Sequence, residues 1–270
     1  MLQISQIIIY PIKSLGGISV ARARVTDRGL EHDRRWMLVD PDNGFITQRT
    51  VPLMALIHVA VGAGGLLVTS QLHPDALFVP FVDGLAVGGG LPEFTEVRVW
   101  DDTCTAQFVS READAWFTAA LKTPCRLVYM PDTTSRITDP AYAPEGSITS
   151  FADAFPFLLI GQASLDELNS RLGQALPMDR FRPNIVFTGG TPYQEDELRA
   201  FSIRDIRFRG VKLCARCPIP TIDQATAERG KEPLRTLARY RARNNKVYFG
   251  QNLIHQGIGE IAVGDALVPG

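Results

Sequence analysis

Apolar and β-branched residues fall in short runs along this chain, and Gly, Pro, Asn and Asp separate the runs. Runs of this length and composition predict β-strands, because helices need longer segments with apolar positions three and four residues apart. Asn43-Gly44 predicts a tight turn, since both residues tolerate positive φ; Gly88-Gly89-Gly90 predicts another. Many short strands joined by turns favour a barrel. The predicted strands are 2–10, 18–25, 34–39, 45–49, 56–61, 65–69, 76–82, 96–100, 103–109, 126–130, 157–160, 184–187, 201–208, 211–213, 219–222, 247–249 and 261–268.

Three segments carry helical signals. Ser110 is a candidate N-cap for a helix that ends near residue 122. Ser164 and Glu167 have the spacing of a capping box, which predicts a helix that begins at Ser164. A proline at the first turn predicts a third helix over 233–243. The fold class is therefore mixed α/β and rich in β-strand.

Composition restricts the classes of function. The chain has 270 residues, 45% of them hydrophobic and 21% charged, and a net charge of -1, so neither a nucleic acid nor a membrane surface is expected as a partner. The apolar runs are too short to span a bilayer, and no signal peptide is evident. Four cysteines are too few for a secreted disulfide scaffold. We expect a cytoplasmic, reducing location.

The run Leu213-Cys-Ala-Arg-Cys-Pro218 is the strongest chemical signal. A zinc knuckle would need a second pair of ligands, which the scattered His and Cys residues do not offer. A thioredoxin-like motif would open a helix, but Pro218-Ile219-Pro220 prevents one here. Two interpretations remain open. One is a single reactive thiolate that binds a metal or carries sulfur, with Arg216 lowering its pKa, and the other is a pair of small buried apolar residues.

Several basic residues lie where they could bind an anion. Lys13-Ser14 precede two glycines in a loop after a strand, and Gly-rich loops let backbone N–H groups approach a phosphate. Arg34, Arg35 and Arg49 flank the predicted turn at Asn43-Gly44. Arg182 precedes Pro183-Asn184, an extended dipeptide that would fix a guanidinium and an amide in space. Solvated surface charge is the alternative interpretation for each of the others.

Four segments in this order resemble the MOSC family, in particular its bacterial YcbX-type proteins and the mitochondrial amidoxime-reducing components. They are Tyr10-Pro-Ile-Lys-Ser14, the stretch from Gly29 to Val39, Phe181-Arg-Pro-Asn-Ile-Val186 and Cys214-Ala-Arg-Cys217. The resemblance covers nearly the whole chain. It implies an N-terminal MOSC-associated β-barrel-like domain over residues 1–125 and a MOSC β-barrel domain over 126–270. The irregular segment 131–150 would lie near the junction.

The resemblance also implies a cofactor, molybdenum bound to molybdopterin. Cys217 matches the family's metal ligand, and a thiolate suits such a metal. Arg216 lies beside it. The residues that match positions holding the pterin and its phosphate are Lys13, Ser14, Arg34, Arg182 and Asn184, with Ser150 and Asp153 in the run before residue 157.

The activity that the resemblance implies is reduction of small N-hydroxylated compounds, namely hydroxylamines, amidoximes or N-hydroxylated bases. Electrons would come from a separate donor protein of the ferredoxin, flavodoxin or cytochrome type with its reductase. Two alternatives remain open: a sulfur-transfer protein that carries persulfide on Cys217, and a non-catalytic carrier of the molybdenum cofactor. The distant candidate phosphate-binding residues Lys13, Arg182 and Asn184 favour cofactor binding, because a persulfide carrier has no use for them.

Overall fold

The computed structural model describes residues 1–81 and 92–270, and β-strands dominate it. The strands are β1 (Gln3–Ile9), β2 (Ile18–Val20), β3 (Arg22–Thr26), β4 (Gly29–Leu30), β5 (Trp36–Val39), β6 (Ile57–Gly62), β7 (Gly65–Ser70), β8 (His73–Pro80), β9 (Phe94–Val99), β10 (Asp102–Phe108), β11 (Arg126–Tyr129), β12 (Arg136–Ile137), β13 (Ile148–Thr149), β14 (Phe157–Gly161), β15 (Ile185–Thr188), β16 (Ala200–Ile203), β17 (Ile206–Ala215), β18 (Ala242–Arg243), β19 (Lys246–Gln256), β20 (Gly259–Ala262) and β21 (Val268–Pro269). The α-helices are α1 (Arg111–Leu121), α2 (Gln162–Ser170) and α3 (Leu234–Leu237), and short 3₁₀ helices cover Pro52–Leu56, Met178–Phe181, Gln194–Asp196 and Ile219–Thr221. The predicted mixed α/β, β-rich class is confirmed.

The largest sheet joins the two ends of the chain. Its strand order is β2-β1-β15-β14-β19-β17-β16-β21, with β18 paired to β19. Strand β1 runs antiparallel to β15, with Ile7 opposite Ile185, and β14 runs parallel to β15. The end of β1 therefore lies beside the beginning of β15.

Smaller sheets complete the fold. A four-stranded sheet has the order β5-β11-β10-β9, two three-stranded sheets have the orders β6-β7-β8 and β20-β3-β4, and β12 pairs with β13. Strand β11, just past the predicted domain boundary, lies inside the four-stranded sheet, while β1 belongs to the largest sheet. The domain boundary between residues 125 and 126 stays a prediction. Strand β11, from the second half, pairs with β5 and β10 of the first half, and β1, from the first half, pairs with β15 of the second.

Two large apolar clusters form most of the core. One packs α1 against strands β5 to β8 and β11, and includes Trp116 and Ala120 of the helix. The other lies against the largest sheet and includes Ile7, Ile185 and Leu253. Burial of such clusters supplies most of the driving force for folding.

Two local predictions are confirmed. Helix α1 begins after Ser110, whose hydroxyl oxygen accepts a hydrogen bond from the Ala113 N–H at 3.1 Å. In the turn, Asn43 has φ +59°, and the Asp40 carboxylate accepts hydrogen bonds from backbone N–H groups that include that of Gly44. Local hydrogen bonding fixes both features, so neighbouring residues suffice to predict them.

Two predicted helices form, but their predicted bounds were wrong. Helix α2 begins at Gln162, and Ser164 lies inside its first turn, where its hydroxyl donates to Glu195 and accepts from the Tyr193 N–H instead of capping the helix. The third helix ends at Leu237 because the chain reverses and β18 then pairs with β19. Partners distant in sequence displaced the local signals in both cases.

Two strand predictions were also wrong. Over 45–49, Phe45 makes a single bridge to Val39, and the Thr47 carbonyl then accepts turn hydrogen bonds from the N–H groups of Thr50 and Val51. Over 219–222 the chain forms a 3₁₀ helix, because its flanking and internal prolines lack ladder donors.

Segment 131–150 is irregular apart from β12 and β13, as predicted. The predicted turn at Gly88-Gly89-Gly90 and the last residue of the predicted strand 76–82 lie outside the described residues. Among the helices of the described ranges, none combines the length and apolarity needed to cross a bilayer.

Candidate cofactor site

The framework of the site is the junction of β1 with β15. Lys13 and Ser14 follow β1, and Arg182 and Asn184 precede β15. Because the strands are antiparallel, these two segments lie at the same edge of the sheet, and the Ile8 N–H donates to the Asn184 carbonyl at 2.9 Å. Residues from opposite halves of the chain thus come together, as the sequence predicted.

Asn184 connects three segments of the chain at this edge of the sheet. The residue is buried, at 1% exposure, and its side-chain oxygen accepts from Arg34 Nη1 at 2.9 Å and from the Leu158 N–H at 3.2 Å. Its side-chain nitrogen donates to the Ile8 carbonyl at 3.2 Å. Asn184 therefore joins three segments and orients Arg34.

Arg34 and Arg182 share one aromatic ring. Their guanidinium carbons lie 4.4 Å and 4.2 Å from the centroid of the Tyr10 ring, within the range of cation–π contact. Arg34 also donates to Asp33 at 2.5 Å and to the Arg182 carbonyl at 3.3 Å, and the Tyr10 hydroxyl donates to the Pro183 carbonyl at 3.1 Å. Burial lowers the pKa of Arg182 to about 10 and raises the pKa of Tyr10 to about 12.

Three of the predicted site residues have left-handed backbone conformations. Ser14, Arg34 and Arg182 have φ values of +68°, +50° and +56°. Non-glycine residues rarely adopt this region, because the Cβ atom crowds the backbone. Such residues cluster at ligand-binding and active sites, where the surrounding structure holds them in place.

Lys13 and Asp153 form an ion pair at the candidate site. The Lys13 ammonium is buried and donates to Asp153 Oδ1 and to the Phe151 carbonyl, both at 2.6 Å. Burial lowers the pKa of Lys13 to about 8, although Asp153 opposes that shift. The Asp153 carboxylate is half exposed; burial acts to raise its pKa, but the charges of Lys13 and Arg49 hold it below its usual range.

Arg49 and Trp100 extend this pair outward. The Arg49 guanidinium carbon lies 4.2 Å from the centroid of the Trp100 ring and 5.7 Å from that of Phe45, and Nη1 is 3.7 Å from Asp153 Oδ2. The Trp100 indole N–H donates to Asp153 Oδ1 at 3.3 Å. A half-exposed aromatic side chain thus lies against the charged part of the site.

Several buried polar atoms in this region make no hydrogen bond within the protein. They are Arg49 Nη1, Ser150 Oγ, Arg182 Nη2 and Arg216 Nε. Leaving such groups unpaired costs about 1–3 kcal/mol each, so most buried polar groups in proteins are paired. Buried donors without protein partners, carried by basic side chains, are the groups expected of an anion site.

The two motif cysteines are half-buried and unpaired by disulfide. Arg216 Nη1 donates to the Cys214 sulfur at 3.2 Å, and Nη2 donates to the Phe181 carbonyl at 2.8 Å. The hydrogen bond of the Arg216 guanidinium therefore goes to Cys214, and the expected effect of Arg216 on Cys217 stays a prediction. Burial raises the pKa of Cys214, and Arg216 only partly offsets this shift. Cys214 thus accepts a hydrogen bond from Arg216 and has a pKa above its ordinary value.

Contacts join the cysteine motif to the basic cluster. Arg216 binds the carbonyl of Phe181, and Arg34 binds the carbonyl of the next residue, Arg182. The charge of Asp153 acts on both Arg182 and Cys214. All the predicted site segments therefore converge. Within residues 1–81 and 92–270, no group of three His, Cys, Asp or Glu residues could hold a metal ion. A metal on Cys217 would need its other ligands from elsewhere.

Comparison with known proteins identifies the family. Residues 1–124 match the model of the MOSC N-terminal beta barrel domain, and residues 147–268 match that of the MOSC domain. The human "Mitochondrial amidoxime-reducing component 1" is 32% identical over 97% of this chain and 81% of its own. This chain belongs to the MOSC family.

A second group of MOSC relatives has a different name. The rice "Molybdenum cofactor sulfurase" is 33% identical over 96% of this chain, but this chain spans only 33% of that protein. In the first group, the rat "Mitochondrial amidoxime reducing component 2" is 32% identical over 97% of this chain and 81% of its own. The names of these relatives refer to the molybdenum cofactor in one group and to amidoxime reduction in the other.

Sequence reasoning missed part of this site. Tyr10 lies in one of the MOSC motifs, but nothing in the motif assigns it to the stacking of two arginines. Arg49 is one of several basic residues near the predicted turn and has no more sequence support than the others. No sequence motif singles out Trp100. A loop arginine and a hairpin tryptophan join a site only when the tertiary fold brings them to the same carboxylate, here Asp153.

Proposed function

We propose that this protein is a molybdenum-cofactor-dependent oxidoreductase that reduces N-hydroxylated compounds with electrons from a separate donor protein. The observation that carries the proposal is the buried basic cluster with unpaired donors, joined by direct contacts to the cysteine motif. The names of relatives that share most of their length with this chain support the substrate class.

The residues fit a cofactor with an anionic phosphate and a metal that needs one protein thiolate. Arg182 Nη2 and Ser150 Oγ are buried and make no hydrogen bond within the protein, and a phosphate or pterin would satisfy them. Lys13, Ser14, Arg34 and Asn184 complete the set that we propose for binding. Cys217 would supply the metal ligand, because it is the second cysteine of the motif and matches the family's ligand position.

When bound, molybdenum supplies the two-electron chemistry that converts an N–OH group to N–H with release of water. The protein's own residues have three tasks in this proposal. The basic cluster binds and orients the phosphate end, Asn184 and Tyr10 hold Arg34 and Arg182 in position, and Cys217 fixes the metal end. We propose that water delivers the protons.

The test is the molybdenum content and activity of protein produced in a host that makes the cofactor. Wild type is expected to contain molybdenum and to reduce benzamidoxime with a chemical reductant. Cys217→Ala should lose both activity and most of the metal, whereas Cys214→Ala is the matched control and should retain metal. Wild type without molybdenum, or activity lost only in Cys214→Ala, would contradict the proposal.

Sulfur transfer is the second candidate, and the sulfurase relatives favour it. In that case Cys217 would carry a persulfide. Mass spectrometry of the intact protein, incubated with a sulfur donor and then with or without a reducing agent, would detect one added, reducible sulfur atom. The same sulfur on Cys217→Ser would exclude this role. Metal-containing wild type that has no turnover on any N-hydroxylated compound would instead favour a cofactor carrier.

A further inference from the structure

Trp100 combines several unusual features. It is the first of two residues that connect β9 to β10, because Val99 pairs with Asp102. Two-residue hairpin turns favour Asn, Asp or Gly, since positive φ is required there. Trp100 has φ +59°, a conformation that a bulky residue rarely adopts. A strained tryptophan in a position suited to small residues indicates that the indole ring itself is needed.

Contacts hold the ring at the candidate site. Its N–H donates to Asp153 Oδ1 at 3.3 Å, and the Arg49 guanidinium carbon lies over the ring at 4.2 Å from its centroid. Asp153 binds Lys13, and its charge acts on Cys214 and on Arg182. Trp100 therefore contacts Asp153 directly, and Asp153 contacts Lys13, one of the residues proposed to bind the cofactor.

The ring also remains available to a ligand. Trp100 is 49% exposed although Arg49 lies on one face and Phe45 contacts the ring at 5.2 Å between centroids. A stacked cation increases the rigidity of the ring without covering the opposite face. An exposed, oriented aromatic surface beside the charged part of the candidate site is suited to stacking against a planar ring system.

We propose that Trp100 is a specificity-determining residue that stacks against planar aromatic and heteroaromatic N-hydroxylated substrates. This inference rests on the proposed function and adds the substrate class within it. Amidoximes and N-hydroxylated bases that carry an aromatic ring are favoured over aliphatic ones of the same reactive group.

The test compares benzamidoxime with acetamidoxime, which has the same N–OH group but a methyl group in place of the ring. In wild type, kcat/KM with a chemical reductant is expected to be about tenfold higher for benzamidoxime, because one stacked ring contributes about that factor. Trp100→Asn keeps the backbone conformation with less strain and removes the ring, so the ratio should fall to about one through a higher KM for benzamidoxime. Trp100→Phe should retain part of the preference.

Phe94→Ala is the matched control, because Phe94 is 51% exposed and lies at the far end of the same hairpin. It should leave the ratio unchanged. Calorimetric binding of both amidoximes to the oxidised, molybdenum-containing protein separates the two proposals, because it does not require turnover. Weaker benzamidoxime binding to Trp100→Asn supports stacking even if no reduction occurs. Equal losses for both compounds, or a loss seen only with a protein electron donor, would overturn the assignment.

Discussion

At the scale of single residues, the site is built from groups whose charge or backbone is unfavourable in isolation. Lys13 is a buried ammonium, Arg182 is a half-buried guanidinium with one buried nitrogen that makes no hydrogen bond, and Ser14 and Arg34 have left-handed backbones. Each of these features lowers the stability of the fold. Such features persist at sites where a bound ligand compensates for the lost stability. The basic cluster is therefore expected to destabilise the cofactor-free protein.

Lys13 gives a pH test of this expectation. Burial lowers its pKa from the ordinary lysine value of 10.5 to about 8 in the folded protein, so between these values the unfolded state binds more protons. Stability should rise with pH in that window, and the penalty should be fully present below pH 8. Urea unfolding of the cofactor-free protein at about pH 7.5 and about pH 9.5, on either side of the folded-state pKa, should show wild type gaining stability relative to Lys13→Met. A constant difference between the two proteins would contradict a depressed pKa.

At the scale of elements, short-range rules work where the partner atoms are local. Helix α1 is capped by Ser110, and the Asn43-Gly44 turn closes on Asp40, so both were predictable. Helix α2 was not predicted correctly at its start, because Ser164 binds Glu195 and Tyr193 from a later segment. The difference is the sequence separation of the hydrogen-bond partner.

The cap of α1 gives a stability prediction. Ser110→Ala should lower the free energy of unfolding by about 1 kcal/mol, because the Ala113 N–H loses its acceptor at the helix N-terminus. Ser110→Asp should retain most of the stability, since a carboxylate also accepts this hydrogen bond. Denaturant unfolding measures both variants. Equal loss in Ala and Asp variants would show that the cap hydrogen bond does not matter.

At the scale of the whole molecule, the pairing of β1 with β15 brings the first and second halves of the chain together. Asn184 reinforces this junction through Ile8, Leu158 and Arg34, which belong to three different segments. The MOSC N-terminal domain and the MOSC domain therefore both contribute to the proposed cofactor site. Neither half alone contains the basic cluster.

Asn184→Ala tests this coupling. It should cost about 1–3 kcal/mol of stability, because the Leu158 N–H and the Ile8 carbonyl lose a buried partner. It should also lower the molybdenum content, since Arg34 loses its orientation. Asn169→Ala is the control, because Asn169 makes two comparable hydrogen bonds to Leu176 alone. Equal molybdenum loss in both variants would mean that general destabilisation, not positioning, explains the effect.

The sequence by itself determined the β-rich class, the capped helix α1, the MOSC family and the segments of the candidate site. Those properties depend on local patterns and on motifs that survive without knowledge of contacts. Only the tertiary structure decided that Arg216 binds Cys214, that Tyr10 holds two arginines, and that Trp100 lies against Asp153. These contacts join residues whose geometry is set by strand pairing, packing and burial across the whole chain, so no local pattern encodes them.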